Sequence, residues 1–142
     1  MHDDIIRVAQ SLCVNIGALT HASNQSRKVI EKCRRELSRK FPLSSNAESS
    51  DIDLVVHGSY AREEATSCSD LDYLIVLHSL AKPRLIQDFI KEVERIRLEE
   101  AIEKPGREGL FGEIVVAGEL FTRIGLESDT NATTTRRMLL LT

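Results

Sequence analysis

Residues 70–77, DLDYLIVL, set two carboxylates two positions apart at the head of an unbroken apolar run. Tyr73 to Leu77 reads as a buried strand that begins at the acids, so the chain has to build a sheet around it. Side chains two apart on a strand share a face, and their Cα atoms lie about 6.5–7 Å apart. Two carboxylates at that spacing can converge on a pair of hard cations held about 3.5–4 Å apart. Upstream, Leu54-Val55-Val56 reads as a second short strand. It stops at Gly58-Ser59, where a glycine lets the backbone turn sharply and approach a ligand closely. Another Asp-x-Asp, Asp51-Ile52-Asp53, follows the polar run Ser44–Ser50 and has no Gly-Ser turn before it, so it reads as solvated.

A strand, a Gly-Ser turn, a helical stretch and a strand opening on Asp-Leu-Asp together resemble the signature of the DNA polymerase beta-like nucleotidyltransferase superfamily. That signature is a hydrophobic residue, Gly, Gly or Ser, a spacer of about ten residues, then Asp, hydrophobic, Asp or Glu, hydrophobic. Gly58-Ser59, the spacer Tyr60 to Ser69 and Asp70-Leu71-Asp72-Tyr73 fill it. Within the superfamily the stretch looks most like the small group with a Gly-Ser-x-Ala-Arg core, with Ala61-Arg62, Glu64, Ala65 and Ser69-Asp70 in place. Two positions depart from the pattern: His57 stands where a hydrophobic residue is usual, and Glu63 where that group often has glycine. The resemblance covers residues 53–77.

The resemblance implies an α/β (α+β) fold, a small mixed sheet carrying the Gly-Ser turn and the Asp-x-Asp strand and flanked by helices. It implies that Asp70 and Asp72 hold two Mg²⁺ ions and that Gly58 and Ser59 sit against the β and γ phosphates of an NTP, with Ser69 in the same nucleotide-binding set. Arg62 is a candidate phosphate partner, with a salt bridge to Glu64 or a strand-edge acid as its alternative. The family usually adds a third carboxylate on a later strand, as a metal ligand or a base near the acceptor. Glu113, Glu119 and Asp129 are the candidates, and Glu113 is favoured because it opens Ile114-Val115-Val116 as Asp70 opens its own run.

The length of 142 residues fits a single domain over 1–142, divided into an N-terminal helical segment, 1–42, and a core, 51–142, with truncation at its C-terminus left open. Ile5, Val8, Leu12, Ile16 and Leu19, then Val29, Ile30, Cys33, Leu37 and Phe41, predict helix, with Gly17 and the polar patch His21 to Ser26 as the points of division. Leu80 to Ala101 returns to a helical pattern with a broad apolar face and Pro83 in its first turn, ended by Pro105-Gly106. Phe111 and Ile114 to Val116 supply a third strand, Glu119 to Ile124 a short helix or a continuation, and Asp129-Thr130-Asn131 an N-cap for a last helix, Ala132 to Leu141.

A net charge of −3 argues against tight nucleic-acid binding, although Arg27, Lys28, Lys32, Arg34, Arg35, Arg39 and Lys40 cluster on one helical stretch. Glu31 and Glu36 interrupt them, so the cluster reads as a solvated helix face rather than a polynucleotide stripe. No apolar run approaches bilayer length, and Asp3 and Asp4 replace the basic start of a signal peptide. Cys13, Cys33 and Cys68 are odd in number and scattered, which points to free thiols in a reducing cytoplasm and away from zinc. Cys68 reads as a small buried residue, His57 as a packed one, and Arg136-Arg137 as cations complementing a helix end.

The expected function is therefore Mg²⁺-dependent transfer of an NMP from an NTP, chemistry of the EC 2.7.7 type, to a protein, a small molecule or an RNA end. The alternative is a catalytically weak nucleotide-binding or toxin–antitoxin interaction module. Met138 to Leu141 wraps apolar residues around the last helix, so part of that surface is expected to face a second copy or a partner protein.

Overall fold

The computed structural model describes residues 3–42, 51–78, 81–106, 110–122, 124–127 and 129–140. The elements, in chain order, are α1 (Asp3–Ser11), α2 (Gly17–Lys40), β1 (Ile52–Val56), α3 (Gly58–Ala61), β2 (Tyr73–Leu77), α4 (Pro83–Glu99), β3 (Glu113–Val116), α5 (Ala117–Thr122) and α6 (Asn131–Leu140). The polar run Ser44–Ser50, Leu80 and Leu141 lie outside the described residues.

β2 is the middle of a three-stranded sheet in the order β1-β2-β3. β1 pairs with it antiparallel, Val56 opposite Tyr73 and Ile52 opposite Leu77. β3 pairs with it parallel, Glu113 opposite Leu74 and Val116 opposite Leu77, and α4 provides the crossover that a parallel neighbour requires. All five β2 residues are buried because alternate side chains enter two different cores. Tyr73, Ile75 and Leu77 pack with Val29 and Cys33 of α2 and with Phe89, Val93 and Ile96 of α4. Leu74 and Val76 pack on the other face with Val115 and Leu120, and Leu140 of α6 closes against them. Each such fully buried aliphatic side chain stabilises the fold by about 1.5–3 kcal/mol. The mixed α+β architecture expected from the sequence is the one observed.

Several boundaries differ, each for a local reason. The N-terminal helix divides at Leu12 to Ile16, where Cys13 takes φ +53° and Asn15 Oδ1 accepts the Gly17 N–H at 2.8 Å. The polar patch His21 to Ser26 lies inside α2, because its hydroxyls hold the segment after the Gly-Ser turn. Ser23 Oγ donates to Glu63 at 2.7 Å; the fully buried Ser26 Oγ donates to Ala22 O at 2.8 Å and accepts the Ala65 N–H at 3.1 Å. The apolar stripe of α1 does not enter a core: Ile5, Val8 and Leu12 are exposed. α4 runs from Pro83 to Glu99, inside the predicted Leu80 to Ala101: Pro83 takes the first helical position, and Ala101 at φ +53° has left the helix well before Pro105-Gly106, while Leu98 lies outside its buried face.

The basic residues of α2 serve mainly to fasten it. Lys32 pairs with Glu99 and Glu100, Lys28 with Glu100, Lys40 with Glu92, Arg27 with Glu63, and Arg35 and Arg39 with Glu36. Glu92 is buried, and Arg95 together with Lys40 holds its carboxyl at about 2. Arg27, with Ser23, holds the Glu63 carboxyl at about 2 as well. Both folded values lie below the ordinary carboxylate range, so the ionised forms favour the folded chain and protonation favours the unfolded one. Stability from these two groups is complete above about pH 4.5 and is lost as pH falls toward 2. A urea-denaturation series across that window should show the midpoint falling, and the Glu92→Gln and Glu63→Gln double variant should flatten the fall.

α6 starts where Thr130 Oγ1 accepts the Thr133 N–H at 3.2 Å. It has no fully buried residue: Leu140 leans on the second core while Met138 is 65% exposed. Arg137 donates to Asp129 at 2.8 Å and to Leu120 O at 3.1 Å, and Arg136 donates to Leu110 O at 3.2 Å. This arginine pair therefore docks α6, which is a wider role than complementing a helix end.

Candidate active site

The two strands deliver the candidate residues Gly58, Ser59, Asp70 and Asp72 to one end of the sheet. The β1–β2 ladder continues one step past Val56, where His57 N–H donates to Asp72 O at 2.8 Å. Immediately afterwards Gly58 takes φ +64°, a left-handed conformation, and opens the single turn of α3. Tyr60, 1% exposed, anchors that turn in the core, and the Glu64 N–H donates back to Ser59 O at 2.7 Å.

Asp70 and Asp72 sit just ahead of regular β2, Asp70 as an isolated parallel bridge to Glu103. Asp72 packs directly against the glycine. A Cβ on Gly58 would lie 2.4 Å from Asp72 Oδ2, so only the absence of a side chain leaves room for that carboxylate. The Asp72 carboxyl is pushed up, first by burial and then by the negative charge of Asp70, with Arg62 opposing both. The three charged groups therefore share one local field. Arg62 Nε also donates to Glu64 at 2.9 Å on an exposed surface, the salt bridge weighed as the alternative to a phosphate contact, while its guanidinium still acts on Asp72.

The remaining predicted residues fall at different depths. The Ser59 hydroxyl is half-buried and makes no side-chain hydrogen bond among the described residues. Ser69 Oγ accepts the Thr66 N–H at 2.9 Å and so fixes the loop that leads into Asp70. Cys68 lies on that loop and is exposed, where a small buried residue was expected. Its turn runs over the surface between Ala65 and Leu71, the two residues that are buried. Glu113 stands opposite Leu74, so it occupies the sheet face of Asp72 at the next pair along, and it is exposed. Glu119 is exposed on α5, and Asp129, just ahead of α6, is held by Arg137 and by the Gly125 N–H at 3.0 Å, a structural tie.

Two features escaped the sequence reading. The segment following α4 runs beside Asp70, with the Leu71 N–H donating to Glu103 O at 3.3 Å and Gly106 leaving the Asp70 carboxylate within contact of where a Cβ would be, 3.9 Å. Buried Arg97 holds that segment through Ile102 O. Pro105-Gly106 signalled only a helix end, and nothing in its spacing pointed to Asp70. The left-handed Glu63, φ +61°, was the other. Its departure from the glycine of the related group was visible, but the reason for glycine there was not.

The donor set suits a hard divalent cation: two carboxylates at one sheet end, one of them seated in a cradle that a Cβ would fill. Among the described residues no three His, Cys, Asp or Glu side chains gather into a metal group, so phosphate and water oxygens would have to complete the coordination. Two carboxylates at the end of a mixed sheet, behind a glycine turn, are the arrangement that the resemblance to the nucleotidyltransferases implies. A family model described as "Nucleotidyltransferase domain" matches residues 30–108, more than half of the chain. The chain belongs to that family. Searches of the curated proteins and of the solved structures gave no match. Among the described residues no helix is long and apolar enough to cross a membrane.

Proposed function

We propose that the chain transfers a nucleoside monophosphate from an NTP to an acceptor, in Mg²⁺-dependent chemistry of the EC 2.7.7 type, within the cytoplasm. The observation that carries this reading is the seating of Asp72 on Gly58 with Asp70 beside it. In the reaction the acceptor hydroxyl gives up its proton to a base or to water as its oxygen bonds to the α-phosphorus, the bridging P–O bond to the β-phosphate breaks, and pyrophosphate leaves with the electron pair. Bound Mg²⁺ supplies charge neutralisation across the phosphates and in-line alignment.

The chain's own residues do the rest. Asp70 and Asp72 hold the cations; burial first and the charge of Asp70 second raise the Asp72 carboxyl, and positive charge arriving between the two acids favours its ionised form. Gly58 and Ser59 border the polyphosphate with backbone N–H and an uncommitted hydroxyl, and Ser69 keeps the approach to Asp70 fixed. Arg62, exposed beside the acids, is free to exchange Glu64 for a phosphate, since an exposed pair of this kind is worth only about 0–1 kcal/mol. Glu113, on the same face, is the candidate for the acceptor side.

Incubation with α-labelled NTPs, Mg²⁺ and a cell lysate tests this: label should appear in a protein, small molecule or RNA, and should vanish with chelator. Exposed Phe121, Ile124, Leu126 and Met138 favour a second reading, an interaction module that binds a partner protein or another copy and transfers weakly. Nucleotide binding without any labelled product would select it.

A further inference from the structure

His57 stands at this end of the sheet, and the proposed reaction makes no use of it. It departs from the hydrophobic residue of the related signature, yet it is only 7% exposed. Its Nε2 is buried and has no hydrogen-bond partner among the described residues. Leaving such a group unsatisfied costs about 1–3 kcal/mol. Burial favours the neutral imidazole, and the Phe111 ring, 5.7 Å away between centroids, flanks it.

The register says what lies next to it. Val55 is opposite Leu74, and the ladder continues to the His57–Asp72 pair, so the two side chains occupy adjacent positions on the same sheet face. The Asp72 carboxylate, too, makes no side-chain hydrogen bond among the described residues. A buried imidazole whose Nε2 has no partner among the described residues and a half-buried carboxylate with no side-chain hydrogen bond among them, neighbours across a ladder, are complementary groups. A carboxylate that ligates a cation normally has its other oxygen held by a donor.

We propose that His57 is a positioning residue for Asp72: its Nε2–H donates to the Asp72 carboxylate once that carboxylate turns toward a bound divalent cation. This rests on reading Asp72 as a cation ligand, and the test separates the two. Mn²⁺ binding to the full chain, alone and with a non-hydrolysable ATP analogue, is followed by electron paramagnetic resonance for the unchanged protein, His57→Leu, His57→Phe, His57→Gln and Asp72→Asn, with a melting curve for each.

The apolar variants should melt no lower than the unchanged protein, because a buried unsatisfied nitrogen is removed, yet bind Mn²⁺ about 10- to 100-fold more weakly. His57→Gln, which keeps an N–H donor, should recover most of the loss. A purely structural histidine cannot give that split between melting and affinity. Wild-type Mn²⁺ affinity in a folded His57→Leu or His57→Phe, with affinity lost in Asp72→Asn, overturns the role of His57 and leaves the cation site standing. Equal affinity in the unchanged protein and Asp72→Asn, or none in either, overturns the cation site and this inference with it.

Discussion

Asp70→Asn and Asp72→Asn should each lower NMP transfer by about 10³-fold or more, the scale on which single charged groups act at a phosphoryl centre. Neither change should harm the fold. The two carboxylates repel one another in a half-buried site, and burial adds to the cost of charging Asp72, so a neutral amide is expected to leave the melting temperature unchanged or raise it. The controls are Asp51→Asn and Asp53→Asn. Asp53 stands opposite Val76, toward the other end of the sheet, and its contact with His78 is an exposed 2.8 Å pair of small energetic weight. Transfer measured with labelled NTP should fall only in the first two variants. Equal losses at both acid pairs would remove the assignment of the site.

Gly58→Ala should be the most damaging single-methyl change in the chain. Its Cβ would stand 2.4 Å from Asp72 Oδ2 and 3.3 Å from Asp72 Cβ, so the carboxylate must move. The backbone at φ +64° adds strain of about 1–2 kcal/mol for any L side chain. Calorimetry with Mg·ATP should therefore show at least about a 100-fold loss of affinity, larger than the modest drop in melting temperature explains. Gly58→Val should be worse. Gly118→Ala is the matched control: among the described residues nothing lies within 4 Å of its Cβ, and a glycine replaced inside helix α5 should gain about 0.5–1 kcal/mol. If Gly58→Ala loses stability but binds Mg·ATP as before, the glycine serves the turn alone. The physical cause differs from the one the sequence suggests, since the space that Gly58 keeps open is filled by Asp72 before any phosphate arrives.

Glu63 shows how a local departure is absorbed. A non-glycine residue in the left-handed region costs of order 1–3 kcal/mol, and here Arg27 at 2.8 Å and Ser23 at 2.7 Å hold its carboxylate in place. The polar patch that looked like a helix break is the receptor for that carboxylate and for the Ala65 N–H. Polar residues inside a helix signal a break by propensity, whereas a partner forty residues away can make them the helix's most committed positions.

What the sequence by itself determined is everything that depends on near neighbours. The uninterrupted apolar run of β2, the glycine where the chain must turn left-handed, the strand spacing of Asp70 and Asp72, and Pro83 at the head of α4 are all written within a few residues of where they act. They suffice for the fold class and the family. Only the tertiary structure decided which distant groups share the site. It set Asp72 against Gly58, laid the segment around Glu103 and Gly106 along Asp70, put His57 in the same row as Asp72, and tied Asp129 to Arg137 of α6. The physical reason is that strand register and crossover are fixed by the packing of two cores on opposite faces of β2, and a register shift of one residue exchanges the faces. No local pattern carries that information, because it belongs to the pairing of strands and not to any one of them.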